Sequence, residues 1–374
     1  MEKIRMVDLY GQYRKIKTEV DAAMQRVVDE AAFIHGGPVS EFATALAAHM
    51  GVSHAVTCAS GTDALQLALM ALDLQPGDEV ITVPFTFVAT VEVVELLGLR
   101  PVFVDVCPDT FNMDVTKIEA AITERTKVIM PVHLFGQCAD MESILNLARR
   151  HHLYVVEDAC QALGAQVTFS DGTVHQAGTM GTIGCASFFP TKNLGCFGDG
   201  GAVFTYDDAL AERVRSIANH GMSEKYYYDS IGINSRLDTL QAAVLLAKLP
   251  HLDEYICARQ QAASLYNEAL SECKEVLTPV TTTFSTHTYH QYTLRVEPAK
   301  RELLRSRLSE KEIPTMVYYP QALHLQKAYQ HLGYKAGDFP FAEYLTKTVL
   351  SLPMHTELTE EQIQYITQQL KFNI

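Results

Sequence analysis

The sequence has no excess of basic charge, no long apolar run and no close pairs of cysteines. Its 30 lysine and arginine residues are outnumbered by 44 aspartates and glutamates, which gives a net charge of −14. Nucleic acids and anionic membranes are bound through basic surfaces, so this balance argues against binding to either, and an anionic ligand must be met by local groups. No apolar run approaches membrane-spanning length, and the first ten residues carry charges where a secretory signal has its apolar segment. We therefore expect a cytoplasmic protein.

The eight cysteines are scattered along the chain without the close spacing of a zinc site, so no metal centre is expected. Several lie in apolar, strand-like runs, and we predict that they are reduced thiols in the core. The sequence also has no internal repeat and no low-complexity linker. At 374 residues, 48% of them hydrophobic, the chain is long enough for two closely packed domains.

Short apolar runs alternate with helical stretches from about residue 55 to residue 205, which is the pattern of an α/β domain. The runs are unbroken in their apolar character, and this indicates a sheet that is covered on both faces. The candidate strands are Ala55–Ala59, Glu79–Phe85, Pro101–Val106, Lys127–Leu134, Leu153–Val156, Ala186–Phe189 and Gly201–Thr205. Together they predict one large sheet of seven strands.

Helical spacing of apolar residues predicts helices on both sides of this region. Beyond Asp207 the pattern is mainly helical, and a later β-like stretch followed by helices predicts a smaller α/β domain. We expect the large domain, with its N-terminal helix, to span residues 1–250 and the smaller domain to span residues 251–374. The predicted elements are helices at residues 13–31, Glu41–Met50, Leu237–Leu249, from Leu252 past Tyr266, Arg301–Lys311 and Glu360–Leu370, and the β-like stretch His290–Val296.

Lys192 has surroundings that are unusual for a lysine. It follows an apolar run that ends in Pro190 and precedes a glycine-rich turn. Such a setting partly desolvates an amine, lowers its pKa and makes it a plausible nucleophile toward a carbonyl. The alternative is an ordinary lysine in a loop after a strand.

A candidate phosphate site lies where a predicted strand meets a helix, at Ser60, Gly61 and Thr62. Backbone N–H groups and hydroxyls at the start of a helix bind phosphate, and a glycine lets the anion approach the chain. Ser187, five residues before Lys192, has a hydroxyl that could reach the same phosphate. The alternatives are a simple N-cap by Ser60 and a hydrogen bond between Ser187 and its own strand.

Asp158 ends an apolar strand that begins near His152. Ligands of open α/β sheets collect at the carboxyl ends of the strands, so Asp158 is well placed to meet one. A buried carboxylate needs a cationic partner, and a protonated pyridine nitrogen would supply it. The alternative is that Asp158 caps the turn that follows.

Asn234 and Arg236 lie in a polar loop that precedes a helix, after three consecutive tyrosines at residues 226–228. Their amide and guanidinium groups are donors suited to phosphate or carboxylate. The alternative is that Asn234 and Arg236 are capping residues in an ordinary loop.

The motifs that carry these residues, in their order along the chain, resemble the DegT/DnrJ/EryC1/StrS family of sugar aminotransferases over nearly the whole sequence. They are SGTDALQLAL, PFTFVAT, DVCPDTFNMD, PVHLFGQ, VEDACQALGA, SFFPTKNLGCFGDGGAV and GINSRLDTLQAA. The resemblance implies the fold type I architecture of aspartate aminotransferase, with a seven-stranded mixed sheet in the large domain and a smaller C-terminal α/β domain. It also implies pyridoxal 5'-phosphate (PLP) as cofactor, alternating with pyridoxamine phosphate (PMP).

The resemblance further implies a role for each candidate residue. Lys192 would form the imine with PLP and act as the general base, and Asp158 would keep the ring nitrogen protonated. Gln161 would lie near the ring hydroxyl, and Phe87 would stack on the ring, although an ordinary core aromatic is the alternative for Phe87. The phosphate would be held by Gly61, Thr62 and Ser187, with Asn234 reaching across from the other subunit of a homodimer.

The same resemblance implies transfer of an amino group from glutamate to a nucleotide-linked ketosugar in the synthesis of surface polysaccharide precursors. The C-terminal segments are most similar to relatives that aminate C3 of a UDP-linked 2-acetamido-3-keto-hexuronic acid. Arg236 would then meet the sugar carboxylate, or else pair with Asp238 or cap the helix. Tyr319 and His324 would line the pocket, with solvated loop positions as the alternative. The alternatives in function are a neutral 3-keto or 4-keto deoxysugar nucleotide as substrate, or a regulatory protein that binds PLP without turnover.

Overall fold

The computed structural model describes residues 3–374, so Met1 and Glu2 of the charged N-terminal segment lie outside it. Within this range the helices are α1 (Leu9–Lys15), α2 (Lys17–Glu30), α3 (Gly37–Met50), α4 (Gly61–Met70), α5 (Ala89–Leu96), α6 (Ile118–Ala121), α7 (Met141–His151), α8 (Asp208–Ala218), α9 (Thr239–Lys248), α10 (Leu252–Leu270), α11 (Pro298–Glu310), α12 (Pro340–Thr348) and α13 (Glu360–Asn373). The strands are β1 (His54–Cys58), β2 (Glu79–Thr82), β3 (Arg100–Phe103), β4 (Thr126–Ile129), β5 (Tyr154–Asp158), β6 (Gln166–Thr168), β7 (Val174–Gln176), β8 (Ile183–Ser187), β9 (Gly201–Thr205), β10 (Met222–Glu224), β11 (Tyr227–Tyr228), β12 (Val276–Leu277), β13 (Tyr292–Val296) and β14 (Val349–Leu352).

Seven strands form one sheet in the order β1-β9-β8-β5-β4-β2-β3. Strand β9 is antiparallel to its neighbours β1 and β8, and the remaining pairs are parallel. The strands coincide with the seven predicted apolar runs, so the α/β class and the seven-stranded mixed sheet are confirmed. The run predicted at Ala186–Phe189 is displaced, because β8 begins at Ile183 and the chain leaves the sheet after Ser187 to form a turn.

Both faces of this sheet are covered, as the unbroken apolar runs predict. Successive side chains of a strand point to opposite faces. Val155 of β5 belongs to the buried cluster that contains Ile144 of α7, whereas its neighbour Val156 belongs to the cluster that contains Leu65 of α4. The carboxyl ends of the central strands are thereby fixed between two helical layers.

The C-terminal part of the chain has its own three-stranded antiparallel sheet, in the order β12-β13-β14. Side chains of α10, α11 and α13 pack with this sheet in one buried cluster, which includes Tyr266 and Tyr292. Residues 322–349 contribute instead to the core beside the large sheet, through Ala322, Leu345 and Val349. The division of the chain at residue 250 stays a prediction.

Two predictions from the sequence need correction. The helix predicted over residues 13–31 is two helices, because the buried Ile16 has the non-helical angles φ −115° and ψ 18° and separates α1 from α2. All eight cysteines are free, but Cys257 is exposed on α10 and is not a core thiol, and Cys107, Cys160 and Cys273 are only half-buried. Among residues 3–374, no helix has the length and apolar character needed to cross a membrane.

Candidate active site

Helix α4 begins at Gly61, directly after β1. Ser60 is its N-cap, and the Ser60 hydroxyl accepts a hydrogen bond of 3.0 Å from the Asp63 N–H. The N-cap alternative is therefore correct, and it leaves the phosphate prediction open because the first N–H groups of a helix have no partner within the helix. A Cβ on Gly61 would lie 2.6 Å from Ser187 Cβ and 3.1 Å from Cys160 Sγ. The structure thus brings Gly61 and Ser187 together, and the space between them requires glycine.

Ser187 ends β8 and faces the start of α4. Its hydroxyl accepts a hydrogen bond of 3.3 Å from the Phe189 N–H, so the predicted local bond to its own segment is present. A hydroxyl oxygen that accepts one bond still has a proton to donate and a second lone pair. Ser187 can therefore keep this bond and also contact an anion held at the start of α4.

Asp158 lies at the carboxyl end of β5 and is only 6% exposed. One carboxylate oxygen accepts a hydrogen bond of 2.8 Å from the Thr90 hydroxyl, and the other accepts one of 3.2 Å from the Cys160 N–H. The second bond is the turn cap that the sequence offered as an alternative. Within residues 3–374, no lysine, arginine or histidine forms an ion pair with this carboxylate. A cationic partner from a ligand would complete its surroundings.

Lys192 lies in a closed turn between β8 and β9, which we call the lysine turn (residues 188–196). The Cys196 N–H donates to the Phe188 carbonyl at 2.8 Å, and the Lys192 N–H donates to the Phe189 carbonyl at 2.8 Å. Burial lowers the pKa of the Lys192 amine, while the nearby Cys160 and Asp158 act in the opposite direction. Lys192 is half-buried, which agrees with the partly desolvated amine predicted from the sequence, and the unprotonated amine is the form that attacks a carbonyl.

Gln161 connects two other parts of the site. Its side-chain oxygen accepts a hydrogen bond of 2.9 Å from the Phe135 N–H, and its amide nitrogen donates to the Tyr319 hydroxyl at 3.0 Å. Burial raises the pKa of Tyr319, which keeps that hydroxyl protonated. The Phe87 ring lies 6.4 Å from the Tyr319 ring and is 53% exposed, so the alternative of a core aromatic for Phe87 is wrong.

The loop that carries Asn234 and Arg236 is hydrogen-bonded to the rest of the chain, while Asn234 remains exposed. Ser235 between them is buried, and its hydroxyl accepts a hydrogen bond of 3.1 Å from the Ala59 N–H, next to the candidate phosphate site. Arg236 donates through Nη1 to the Asn219 side-chain oxygen at 2.9 Å. The alternative pairing of Arg236 with Asp238 is therefore wrong for the described residues.

Arg236 lines a groove of about 1020 Å³ between the end of α8 and the segment that begins α3. Its Nε is buried and has no hydrogen-bond partner among residues 3–374. A guanidinium offers several donors in one plane, so an Arg236 held at Nη1 can still bind an anion through the rest of its fork.

His324 is 1% exposed, so the alternative of a solvated loop position is wrong for it. Its Nε2 lies 3.2 Å from Glu343 Oε1, and its ring meets the Phe339 ring edge-on at 4.8 Å. Burial lowers its pKa, and the Glu343 carboxylate opposes that shift. The structure therefore brings Tyr319 to Gln161 and Phe87 and directs His324 toward α12.

Sequence reasoning missed Thr90 and Phe135 as members of the site. Thr90 also contacts the Thr86 hydroxyl at 3.0 Å, so a second threonine supports the Asp158 carboxylate through Thr90. Both lie in the motif PFTFVAT, Thr86 in the bend before α5 and Thr90 in its first turn, and two buried hydroxyls in one short apolar motif are the signal that could have found them. Phe135 contributes its backbone N–H, which almost every residue type has, so its role cannot be predicted from the sequence.

These groups fit PLP, the cofactor expected from the sequence. The first N–H groups of α4 have no partner within the helix and the Ser187 side chain lies beside Gly61, so the start of α4 offers donors to a phosphate. Asp158 is a buried carboxylate without an ion-pair partner in the described residues, and Lys192 is a desolvated amine that interacts electrostatically with it. A phosphate, a protonated pyridine nitrogen and an aldehyde are the complements of these three groups.

Comparison with known proteins identifies the family. Residues 14–371 match the model of the DegT/DnrJ/EryC1/StrS aminotransferase family. A "Pleiotropic regulatory protein" of Geobacillus stearothermophilus is 47% identical, covering 98% of this chain and 97% of its own. The UDP-2-acetamido-2-deoxy-3-oxo-D-glucuronate aminotransferase of Pseudomonas aeruginosa is 43% identical, with 97% and 98% covered. The dTDP-3-amino-3,4,6-trideoxy-alpha-D-glucose transaminase of Streptomyces venezuelae is 41% identical, with 96% and 93% covered.

Solved structures agree with this assignment. DesV of S. venezuelae, in complex with a ketimine intermediate, has a TM-score of 0.95 at 40% identity and covers 100% of this chain and 98% of its own. NtdA of Bacillus subtilis, with bound cofactor PMP, has a TM-score of 0.90 at 29% identity, with 100% and 86% covered. The chain belongs to the DegT/DnrJ/EryC1/StrS aminotransferase family and is a PLP-dependent sugar-nucleotide aminotransferase.

Proposed function

We propose that the protein transfers the amino group of glutamate to C3 of a UDP-linked 2-acetamido-3-keto-hexuronic acid, in the synthesis of surface polysaccharide precursors. The observation that carries this proposal is Arg236, whose Nη1 is held by Asn219 and whose buried Nε has no partner among the described residues. A sugar carboxylate supplies the planar pair of acceptors that a guanidinium binds through two donors, and a neutral sugar does not. The 43% identity with the P. aeruginosa glucuronate aminotransferase supports the same substrate class.

In this proposal the cofactor supplies an aldehyde and an electron-accepting ring, and the protein supplies binding and proton transfer. The Lys192 amine would hold the cofactor by condensing with its aldehyde, with loss of water, and once displaced by the amino donor it would accept the donor's α-proton and return it at the exocyclic carbon. The Asp158 carboxylate, oriented by Thr90, would hold the proton on the ring nitrogen. N–H groups at Gly61 and Thr62 and the Ser187 hydroxyl would bind the phosphate.

The remaining candidates border the space in front of the ring. Gln161 would contact the ring hydroxyl while it keeps its bonds to Phe135 and Tyr319. Phe87 would stack on the ring, which its exposed position near Tyr319 allows. Tyr319, which accepts the hydrogen bond from Gln161, would border the sugar pocket. His324 is buried against Glu343, so it would affect the substrate only indirectly, through the residues that line the pocket.

We also propose a homodimer in which Asn234 contacts the phosphate of the partner's cofactor. Asn234 is exposed, yet its loop is held in place by Ser235 and by backbone hydrogen bonds to the end of α8, such as Ser235 N–H to Ala218 C=O at 2.9 Å. Ile231 in the same loop is 87% exposed, and such an apolar side chain is more stable when a second subunit covers it. The cytoplasmic location expected from the sequence stays a prediction.

Arg236→Ala tests the substrate assignment. We expect kcat/KM for the uronic acid nucleotide to fall about 10- to 100-fold, because a hydrogen-bonded charge pair is lost, and kcat/KM for the matching neutral nucleotide to change far less. Arg213→Ala is the matched control, because Arg213 lines the same groove but is paired with Asp73. Equal losses on both nucleotides in Arg236→Ala would contradict the carboxylate role.

A neutral 3-keto or 4-keto deoxysugar nucleotide is the second candidate substrate. The 41% identity with the dTDP-3-amino-3,4,6-trideoxy-alpha-D-glucose transaminase favours it. The same assay separates the two candidates, because a neutral substrate predicts that wild-type protein turns over the neutral nucleotide with the higher kcat/KM and that Arg236→Ala retains this activity.

A further inference from the structure

A second lysine, Lys248, holds the turn that carries Lys192. It is the last residue of α9, and its Nζ donates a hydrogen bond of 2.6 Å to the Gly195 carbonyl in the lysine turn. The two residues are 53 positions apart in the sequence, so the contact is tertiary. Lys248 is 3% exposed, and the contact is therefore shielded from water.

The lysine turn is tight at the point that Lys248 contacts. A Cβ on Gly195 would lie 2.3 Å from the Pro190 carbonyl oxygen and 2.9 Å from the Phe189 carbonyl oxygen. The two arms of the turn therefore touch through their backbones, with Lys192 between them. A shift of the Gly195 carbonyl must move Pro190 as well, and with it the origin of the Lys192 side chain.

Helix α9 also holds the chain directly after the lysine turn. The Gln241 side-chain oxygen accepts a hydrogen bond of 2.8 Å from the Phe197 N–H. Gln241 and Lys248 are seven residues apart, which places them on one face of the helix two turns from each other. The Gln241 bond fixes the chain just after the turn, and the Lys248 bond fixes the arm that follows Lys192.

Burying the Lys248 amine at this position costs free energy. The turn packs in a buried cluster with Leu194, Leu245 and Leu249, where an apolar side chain would be favoured. No carboxylate forms an ion pair with Lys248 within residues 3–374. Burial lowers the pKa of Lys248, the nearby Cys196 opposes this shift and the Arg259 charge adds to it, and the resulting pKa is about 8. The Gly195 carbonyl is the hydrogen-bond acceptor that the structure offers this buried amine.

We infer that Lys248 is a positioning residue for Lys192: its bond to the Gly195 carbonyl fixes the lysine turn so that the Lys192 amine meets the cofactor aldehyde. This inference rests on the proposed role of Lys192 as the attachment lysine. It assigns to Lys248 no contact with cofactor or substrate. A displacement of a reacting group by about 1 Å can reduce a rate by roughly 100-fold, so a bond that fixes the turn affects the chemistry from a distance.

Lys248→Met removes the bond and keeps the apolar volume of the side chain. We expect PLP to dissociate about tenfold or more faster from the variant during dialysis, and the absorption band of the lysine-bound cofactor to be altered in position or pH response. We also expect a smaller fraction of Lys192 to be labelled when the bound cofactor is fixed by borohydride and the peptides are analysed by mass spectrometry. Lys248→Arg, which retains a cationic donor, should recover most of the labelling.

Val244→Ala is the matched control for lost stability. Val244 is buried on the same helix but packs against Ile16 and Val20, away from the lysine turn. It should lower the melting temperature and leave the absorption band, PLP dissociation and labelling at wild-type values. If Lys248→Met matches Val244→Ala in all of these measurements, Lys248 has only a structural role and the inference is wrong. If Lys248→Met does not fold, Lys248→Gln, whose amide is too short to reach Gly195, is measured in its place with the same expected results.

Lys192→Ala is measured in parallel to separate this inference from the proposed function. Loss of all borohydride labelling in Lys192→Ala supports the role of Lys192, and the comparison of Lys248→Met with Val244→Ala then decides the role of Lys248. Labelling that persists in Lys192→Ala would contradict both proposals, because another lysine would then hold the cofactor.

Discussion

At the scale of single residues, the site is built from side chains whose partners lie far away in the sequence. Asp158 is recognisable because it ends an apolar strand, but its partner Thr90 is 68 residues away. Lys192 is recognisable from the glycines around it, whereas Lys248 has the same local appearance as any lysine at the end of a helix. Residues that carry the chemistry could thus be predicted, and the residues that orient them could not, because their role depends on tertiary contacts.

The Thr90 hydroxyl is expected to matter because it donates to the carboxylate of Asp158 at a buried position. A hydrogen bond to a charged group contributes about 1.5–3 kcal/mol, so Thr90→Val should lower kcat roughly tenfold or more, and Thr90→Ser should restore much of it. Steady-state kinetics with saturating PLP give the measurement.

Thr86→Val is the control for Thr90→Val, because Thr86 is equally buried and reaches Asp158 only through Thr90. It should reduce kcat by less. A Thr90→Val enzyme with wild-type kcat would show that Asp158 needs no support from this hydroxyl.

At the scale of elements, the apolar runs predict the seven strands of the large sheet, because strands covered on both faces have few polar residues to interrupt the run. The pair β6 and β7 has no apolar run that predicts it, because each strand has three residues and Val167 is the one buried side chain among the six. The end of β8 was also misplaced. Phe188 continues the apolar pattern beyond the sheet, because it packs with Phe42 of α3 while its backbone begins the lysine turn.

The junction between β1 and α4 is tightly packed against the end of β8. Gly61→Ala would place a Cβ 2.6 Å from Ser187 Cβ, so α4 and β8 must separate at the candidate phosphate site. We expect a loss of about 1–3 kcal/mol in the free energy of unfolding, which is the range for overpacking, together with weaker PLP binding. Chemical denaturation and a PLP titration measure the two effects.

Gly37→Ala provides the comparison for Gly61→Ala. Gly37 also begins a helix, α3, but a Cβ there would meet only the end of the Glu41 side chain, at 3.3 Å. It should leave PLP affinity unchanged. If Gly61→Ala binds PLP as tightly as Gly37→Ala, the phosphate does not lie at the start of α4.

At the scale of the whole molecule, the proposed homodimer shares its active sites. Lys192→Ala removes the attachment lysine, and Asn234→Ala removes the group proposed to reach the partner's phosphate. When the two variants are unfolded, mixed and refolded together, half of the dimers are mixed, and each of these has one intact site. We expect roughly a quarter of the wild-type activity to return, although each variant alone is impaired.

If each subunit instead built its site from its own Asn234, the mixed dimers would contain no intact site. Activity would then stay at the average of the two single variants. The exposure of Asn234 and the bond that fixes its neighbour Ser235 to Ala59 are the structural reasons for expecting recovery.

The most direct test of the proposed reaction is the absorbance of the purified protein loaded with PLP. We predict that the yellow colour of the lysine-bound cofactor disappears when glutamate is added and returns when the UDP-linked 3-keto-hexuronic acid follows. Lys192→Ala should lack the original band, because no amine at residue 192 is available to bind the aldehyde. A colour that no amino donor changes would contradict the proposed transamination.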